Sequence, residues 1–257
     1  MRSSRLYDRI GGSYRATRRP DPRIAALIDD ALGDARSVVN VGAGTGAYEP
    51  ADRQVLAVEP SATMIAQRPR GSAPVIQASA EELPLADDGF DAALAVNTVH
   101  HWTDLRAGLR ELRRVARKRI VVFLRDGRRG VPFWLVEDYL PALDQRGRIA
   151  AIVETIEHEL RPVTARPVRL PRDCVDGLFS AYWGRPELYL DAEIRRNISN
   201  FALAAEDDLA EGLARLEADL ESGAWDRRYG HLRALPELDL GHRLLVAELA
   251  LPRVSDM

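Results

Sequence analysis

The sequence predicts an α/β protein built on a mainly parallel sheet. Three observations carry that expectation. Short apolar runs alternate with segments of helical periodicity. The first run, Ser37–Val41, is almost continuously apolar, as a strand buried on both faces requires. It leads straight into the glycine-rich turn Gly42-Ala43-Gly44-Thr45-Gly46, and a carboxylate, Glu59, ends the next apolar run. A turn of this kind belongs at the carboxyl edge of a parallel sheet, where it brings backbone close to a ligand.

The elements follow in order along the chain. Asp21-Pro22 opens a helix, with Asp as N-cap and Pro at the first helical position. Ile24, Leu27, Ile28 and Leu32 share one face of it, and Gly33 supplies the stop. Strands are expected at Ser37–Val41, Val55–Glu59, Pro74–Gln77, Phe90–Val96 and Ile120–Leu124. Ser61 caps a helix that carries Met64 and ends near Gln67. Leu105, Leu109, Leu112 and Val115 mark the helix before the fifth strand.

After Arg125-Asp126-Gly127 the pattern changes. Residues Val131 to Arg161 read as helical, Arg166–Leu170 as a sixth strand and Arg243–Leu249 as the last. Between them lie an irregular aromatic stretch, Cys174–Phe201, and an amphipathic helix marked by Leu209, Leu213, Leu216 and Leu220. No repeat, low-complexity run or linker interrupts the chain. The expected organisation is one integrated domain, with a core in residues 1–127 and a helical cap plus the last two strands in 128–257.

Composition narrows the function classes. The 257 residues are 46% hydrophobic and 29% charged, which suits a packed soluble core. A net charge of −3 gives no reason to expect a nucleic-acid partner. Lys118 is the only lysine, and the arginines are scattered; the densest basic run, Arg113–Arg119, falls at the end of a helix, where positive charge complements the dipole. The single cysteine, Cys174, excludes an internal disulfide and a thiolate metal site. His158, His231 and His242 stand apart, without metal-ligand spacing. No apolar run approaches membrane-spanning length, and Met1–Gly12 lacks a signal-peptide core, so a cytoplasmic location is expected.

Gly42-x-Gly44-x-x-Ala47 formally fits a dinucleotide fingerprint, and Glu59 suits a ribose diol. Two features pull away from a nicotinamide cofactor. Gly46 opens the turn early, and Pro50 leaves little room for the helix that normally supports a pyrophosphate. The ordered series Val39–Gly46, Val58-Glu59-Pro60-Ser61 with Met64, Ala80-Glu81-Glu82-Leu83-Pro84-Leu85, Phe90-Asp91 and Asn97–Trp102 resembles the class I S-adenosylmethionine-dependent methyltransferases, small-molecule type 11 branch. The resemblance is close from about Tyr7 to Leu124.

It implies a Rossmann-like sheet of seven, mostly parallel strands, with an antiparallel final arrangement and a helical cap after the fifth strand. It also implies S-adenosyl-L-methionine as cofactor and a small organic acceptor. Gly42, Ala43 and Gly44 would meet the methionine part, with Gly46 also in the cofactor-binding turn, Glu59 the ribose, Pro60 and Met64 the adenine faces. Ala80 and Glu81 would lie at the adenine edge and Asn97 near the amino-acid moiety. Ser79 stands where many relatives carry Asp, so the adenine amine would be met by a hydroxyl or by Glu81. Tyr14 and Arg18 belong to a leading segment that in relatives folds over the cofactor. His101, beside Trp102, and His100 are the candidate bases. The aromatic stretches Phe133–Tyr139 and Phe179–Tyr189 read either as an acceptor wall or as the core of the cap. Two other functions stay open: a nicotinamide-dependent oxidoreductase, and a non-catalytic cofactor-binding protein on the same fold.

Overall fold

Residues 19–249 are described by the computed structural model, and they form a seven-stranded sheet with helices on both faces. Strands β1 (Ser37–Val41), β2 (Gln54–Val58), β3 (Val75–Ile76), β4 (Phe90–Val96) and β5 (Ala116–Arg125) are parallel. The chain later adds β6 (Val163–Pro167), the short pair β7 (Leu170–Pro171) and β8 (Glu237–Leu238), and finally β9 (His242–Glu248). The order across the sheet is β3-β2-β1-β4-β5-β9-β6, with β9 antiparallel to both neighbours. The expected sheet of seven mostly parallel strands is therefore present. The order reverses direction between β1 and β4, which opens a crevice at the carboxyl edge.

Alternation along the strands sorts the core into two layers. Val38, Leu94, Val121 and Phe123 face helix α1 (Pro22–Leu32) and the cap. Val39, Ala93, Ile120 and Val122 face α3 (Leu105–Val115) and α4 (Arg146–Glu159), which follow the short α2 (Ala62–Ala66) in the chain. Side-chain caps start α1 and α2 as the sequence predicts, and α3 is capped as well. Asp21 accepts from the Arg23 N–H, Ser61 from the Met64 N–H and Asp104 from the Ala107 N–H.

Three expectations need correction. The long helix over Val131–Arg161 is broken into a π-helical turn (Leu135–Tyr139), a 3₁₀ turn (Pro141–Leu143) and α4. Pro141 lacks an N–H and pushes Leu140 out of the helical region, to φ −131 and ψ 58. The sixth strand is Val163–Pro167, not Arg166–Leu170: its ladder ends at Pro167, and Leu170 pairs with Leu238 instead. The basic run Arg113–Arg119 does not all belong to a helix end. Arg113 and Arg114 occupy the last turn of α3, while Arg117 and Arg119 lie in β5 and reach Asp91 and the Ala31 carbonyl.

The cap buries most of the aromatic residues. Trp134 packs edge-on against Trp225 at 5.3 Å and donates from its indole N–H to the Trp183 carbonyl at 2.8 Å. Phe133, Tyr139 and Tyr189 join this cluster, so these aromatics are core. Among the described residues, no helix is long and apolar enough to cross a membrane.

Helix α5 (Ala192–Arg196) precedes α6 (Glu206–Glu221), which crosses the cap at Gly212. A Cβ there would stand 2.2 Å from the Tyr139 carbonyl oxygen and 2.4 Å from Leu140 Cδ2. In a free helix, Gly→Ala stabilises by about 0.5–1 kcal/mol. Here the sign should invert: Gly212→Ala is expected to lose about 1–3 kcal/mol in urea denaturation, through overpacking. A gain in stability would contradict the close crossing.

Candidate active site

The turn after β1 is held from three sides. The Gly42 and Ala43 N–H groups both donate to the Val58 carbonyl, at 2.8 and 3.0 Å. Gly42 has φ +71, and a Cβ on it would lie 2.0 Å from Thr98 Oγ1, so neither its conformation nor its space admits a side chain. Glu59 provides the second hold. Its Oε2 accepts from the Gly44 N–H at 2.8 Å and its Oε1 from the Ser61 N–H at 2.9 Å. Burial pushes the Glu59 carboxyl above the usual range, while these two N–H groups and the Arg68 charge pull the other way.

The third hold was not visible in the sequence. Arg68 Nη2 donates to both carboxylate oxygens of Glu49 at 2.8 Å and to the Ala73 carbonyl at 3.1 Å. Its Nη1 reaches the Gly44 carbonyl at 3.4 Å. Asn40 Nδ2 donates to Glu49 Oε1 at 3.3 Å, which links the pair back to β1. No spacing rule announces an ion pair between residues from two separate turns.

A cleft opens beside this turn, at the β1/β4 crevice. Gly42, Ala43, Gly44, Glu59, Pro60 and Met64 line it. Ser79, Ala80, Glu81 and Asn97 line it too, together with His101 and Trp102. Gly46 falls outside this lining; its N–H closes the turn onto the Ala43 carbonyl at 2.9 Å, with φ +89. Tyr14 and Arg18 lie outside the described residues. Met64 is both core and lining: it is buried, and its Cε comes within 3.3 Å of a Cβ built on Gly44. Glu81 Oε1 accepts from the Thr103 N–H at 2.7 Å and the Asp104 N–H at 3.3 Å, which anchors the entry to α3.

Two buried polar atoms at the cleft have no partner among the described residues: Asn40 Oδ1, an acceptor, and Asn97 Nδ2, a donor. Asn97 sits in the left-handed region at φ +50, a strain that Asn tolerates better than most residues. Its N–H donates to the Phe123 carbonyl at 2.8 Å, tying the exit of β4 to β5. An unmade acceptor and an unmade donor beside a glycine turn fit a ligand that carries both an ammonium and a carboxylate.

A second cleft adjoins the first, and Asn97 and His101 line both. His100 lines only the second. The two imidazoles sit 3.9 Å apart, at 48°. Burial, reinforced by the neighbouring His101 and by Arg148, holds His100 well below its ordinary value. Burial and Arg148 hold His101 at about 4. Both are therefore neutral at neutral pH. The unfolded chain, with imidazoles titrating near 6.5, binds more protons than the folded one between pH 6.5 and about 4. Stability should fall as pH drops through that window. In urea denaturation across a pH series, the His100→Gln, His101→Gln double variant should show a shallower fall; an unchanged slope would contradict the buried neutral pair.

Comparison with known proteins agrees with this geometry. A family model described as a methyltransferase domain matches residues 39–124, which run from Val39 in β1 to Leu124 in β5 and take in the described lining of the first cleft. A crystal structure from Anabaena variabilis, provisionally assigned as a methyltransferase from an antibiotic biosynthesis pathway, is 36% identical. It aligns over 91% of this chain and 99% of that chain with a TM-score of 0.83. The uncharacterised methyltransferase YcgJ of Bacillus subtilis is 31% identical over 115 residues, a stretch covering 40% of this chain and 41% of that relative's length. An S-adenosylmethionine-dependent methyltransferase structure from Thermotoga maritima is 22% identical, over 65% of this chain and 83% of that chain, with a TM-score of 0.50, and it supports the fold alone. With the glycine turn, the paired strand ends and a full-length relative in agreement, the chain belongs to the class I S-adenosylmethionine-dependent methyltransferases.

Proposed function

We propose that this chain transfers the methyl group of S-adenosylmethionine to a small organic acceptor held in the second cleft. The observation that carries this reading is the meeting of the two clefts at Asn97 and His101. A ligand in each would be in contact across that boundary.

The bound cofactor supplies an electrophilic methyl group on a sulfonium. The chain supplies position, and alignment alone is worth about 7–11 kcal/mol of barrier in favourable cases. Glu59 has one oxygen committed to Gly44 and the other to Ser61, and each retains a lone pair for a ribose hydroxyl. Pro60 and Met64 flank the adenine, and a thioether against a π-face is favourable by about 0.3–1.5 kcal/mol. Ser79, Ala80 and Glu81 meet the adenine edge. Asn97 Nδ2 donates to the carboxylate of the methionine part, and Asn40 Oδ1 accepts from its ammonium. His101 is neutral, so its imidazole can accept a proton from a hydroxyl acceptor; a carboxylate or thiolate acceptor needs none. His100 supports His101 by packing, from the second cleft.

Apolar side chains from α4 and the cap, Ile149, Ile152, Leu178 and Phe179 among them, wall the second cleft. That lining suits a small, partly apolar organic molecule and not a nucleic acid. The oxidoreductase reading has no proton-donor lysine near the clefts. Lys118 pairs with Asp34 and Asp91 at the amino edge of the sheet, each at 3.4 Å. The non-catalytic reading is separated by turnover. Incubation with methyl-labelled S-adenosylmethionine and a panel of small hydroxy, amino and carboxylic acids should give labelled product from at least one acceptor. Absence of label from every acceptor would favour the binding-only reading.

Glu59→Ala should weaken S-adenosylhomocysteine binding by about 1.5–3 kcal/mol, the loss expected for hydrogen bonds to a charged group. Calorimetry on the folded variant checks this, and unchanged affinity would contradict the assigned role.

A further inference from the structure

The two clefts carry opposite chemistry. Glu59 and Glu81 line the first. Among the described residues the lining of the second contains no carboxylate, but it contains Arg125 and Arg146, with Ser199 and Asn200 as further donors. The two arginines differ. Arg146 is neutralised at home, by Asp144 at 2.7 Å and Glu137 at 2.8 Å. Arg125 ends β5 at the carboxyl edge of the sheet and has no such partner. Its Nε donates to the Leu240 carbonyl at 2.9 Å, and its guanidinium carbon lies 5.8 Å from the centre of the Phe133 ring. Among the described residues no carboxylate forms an ion pair with it, and its terminal nitrogens make no hydrogen bond to any of them. Burial works against its charge; Asp144 and Glu137 favour it only from a distance. A guanidinium remains protonated all the same, so it holds a desolvated positive charge with its bidentate fork unused.

We propose that the acceptor carries a carboxylate, and that Arg125 binds it in the second cleft. The inference rests on the methyltransferase reading and specifies its substrate class. Arg125 offers one guanidinium fork without an ion pair of its own, and Asp144 and Glu137 lie close enough to act on its charge, which favours a monoanionic carboxylate over a phosphate dianion. Ser199 and Asn200 line the same cleft as further donors. The carboxylate end of the molecule is thereby fixed at the β5 edge, and the remainder extends toward Asn97 and His101, where the cofactor cleft begins. Arg125 is a specificity residue here: it reads the acceptor and has no place in the first cleft.

The test is calorimetric and does not require the true acceptor. The protein is first titrated with S-adenosylhomocysteine, which reports the cofactor cleft separately. The saturated complex is then titrated with phenylacetate, octanoate and indoleacetate, each beside its primary amide, and with phenyl phosphate. At least one acid should bind about ten- to a hundredfold more tightly than its amide, the range for a charge-assisted pair. Arg125→Met should abolish that preference, Arg125→Lys should keep part of it, and both should bind S-adenosylhomocysteine as the wild type does. Arg125→Gln serves if the Met variant fails to fold. Equal binding of acids and amides, including no binding of either, overturns the proposal, as does a preference that survives in Arg125→Met. Tighter binding of phenyl phosphate than of every carboxylate overturns the choice of carboxylate. Failure of the wild type to bind S-adenosylhomocysteine would instead overturn the methyltransferase reading beneath it.

Discussion

Glu59 holds the site together. Its carboxylate is 7% exposed and accepts one backbone N–H on each oxygen, from Gly44 and from Ser61. Those two donors come from different turns, one after β1 and one after β2. The bonds fix the distance between them, and with it the floor of the first cleft. A hydrogen bond to a charged group contributes about 1.5–3 kcal/mol, enough to hold a turn whose glycines otherwise sample many conformations. Desolvation opposes the charge and prevails, and the two N–H groups with Arg68 offset part of it. The Arg68–Glu49 pair braces the same turn from behind. It is itself nearly buried, with side-chain exposures of 5% and 9%, and so is little screened by solvent.

From that clamp the geometry spreads along the sheet. The reversal of strand order between β1 and β4 leaves the crevice uncovered, and Asn97, strained into the left-handed region, turns the chain across it. The N–H of Asn97 bonds to β5, so the exits of β4 and β5 move as one. The two clefts therefore share a rigid boundary, with acidic groups on one side and guanidinium groups on the other. A cofactor that carries a positive sulfonium and an acceptor that carries a negative charge would be sorted by electrostatics before any fit of shape.

Much of this was legible in the sequence because it is local. Gly42, Ala43, Gly44 and Glu59 are read from one strand–turn unit and the end of the next strand. Apolar runs placed β1 to β4 within a residue or so, the capping residues placed α1 and α2, and leucine spacing placed α3. What escaped depends on pairing between distant segments. Asn40 looks like an ordinary polar residue in an apolar strand until Glu49 folds back on it. Arg125 looks like a strand end until the cap closes over it without a counterion. The helix expected over Val131–Arg161 failed because its apolar spacing continued through Pro141, and backbone chemistry overrode the pattern. The sixth strand was displaced because Val168 and Leu170 are buried in the cap core, and Leu170 pairs with Leu238 instead of β9. The aromatic stretches could not be assigned to wall or core from spacing alone. Burial decides it for Phe133, Trp134, Tyr139 and Tyr189, while Phe179 also reaches the second cleft.

The central claim is that the turn clamped by Glu59 selects S-adenosylmethionine over a dinucleotide. Calorimetric titration of the purified protein with S-adenosylhomocysteine, with NADH and NADPH as controls, tests it most directly. The account predicts micromolar binding of S-adenosylhomocysteine and none of either dinucleotide. Preferential binding of a dinucleotide, or no binding of S-adenosylhomocysteine, would contradict it.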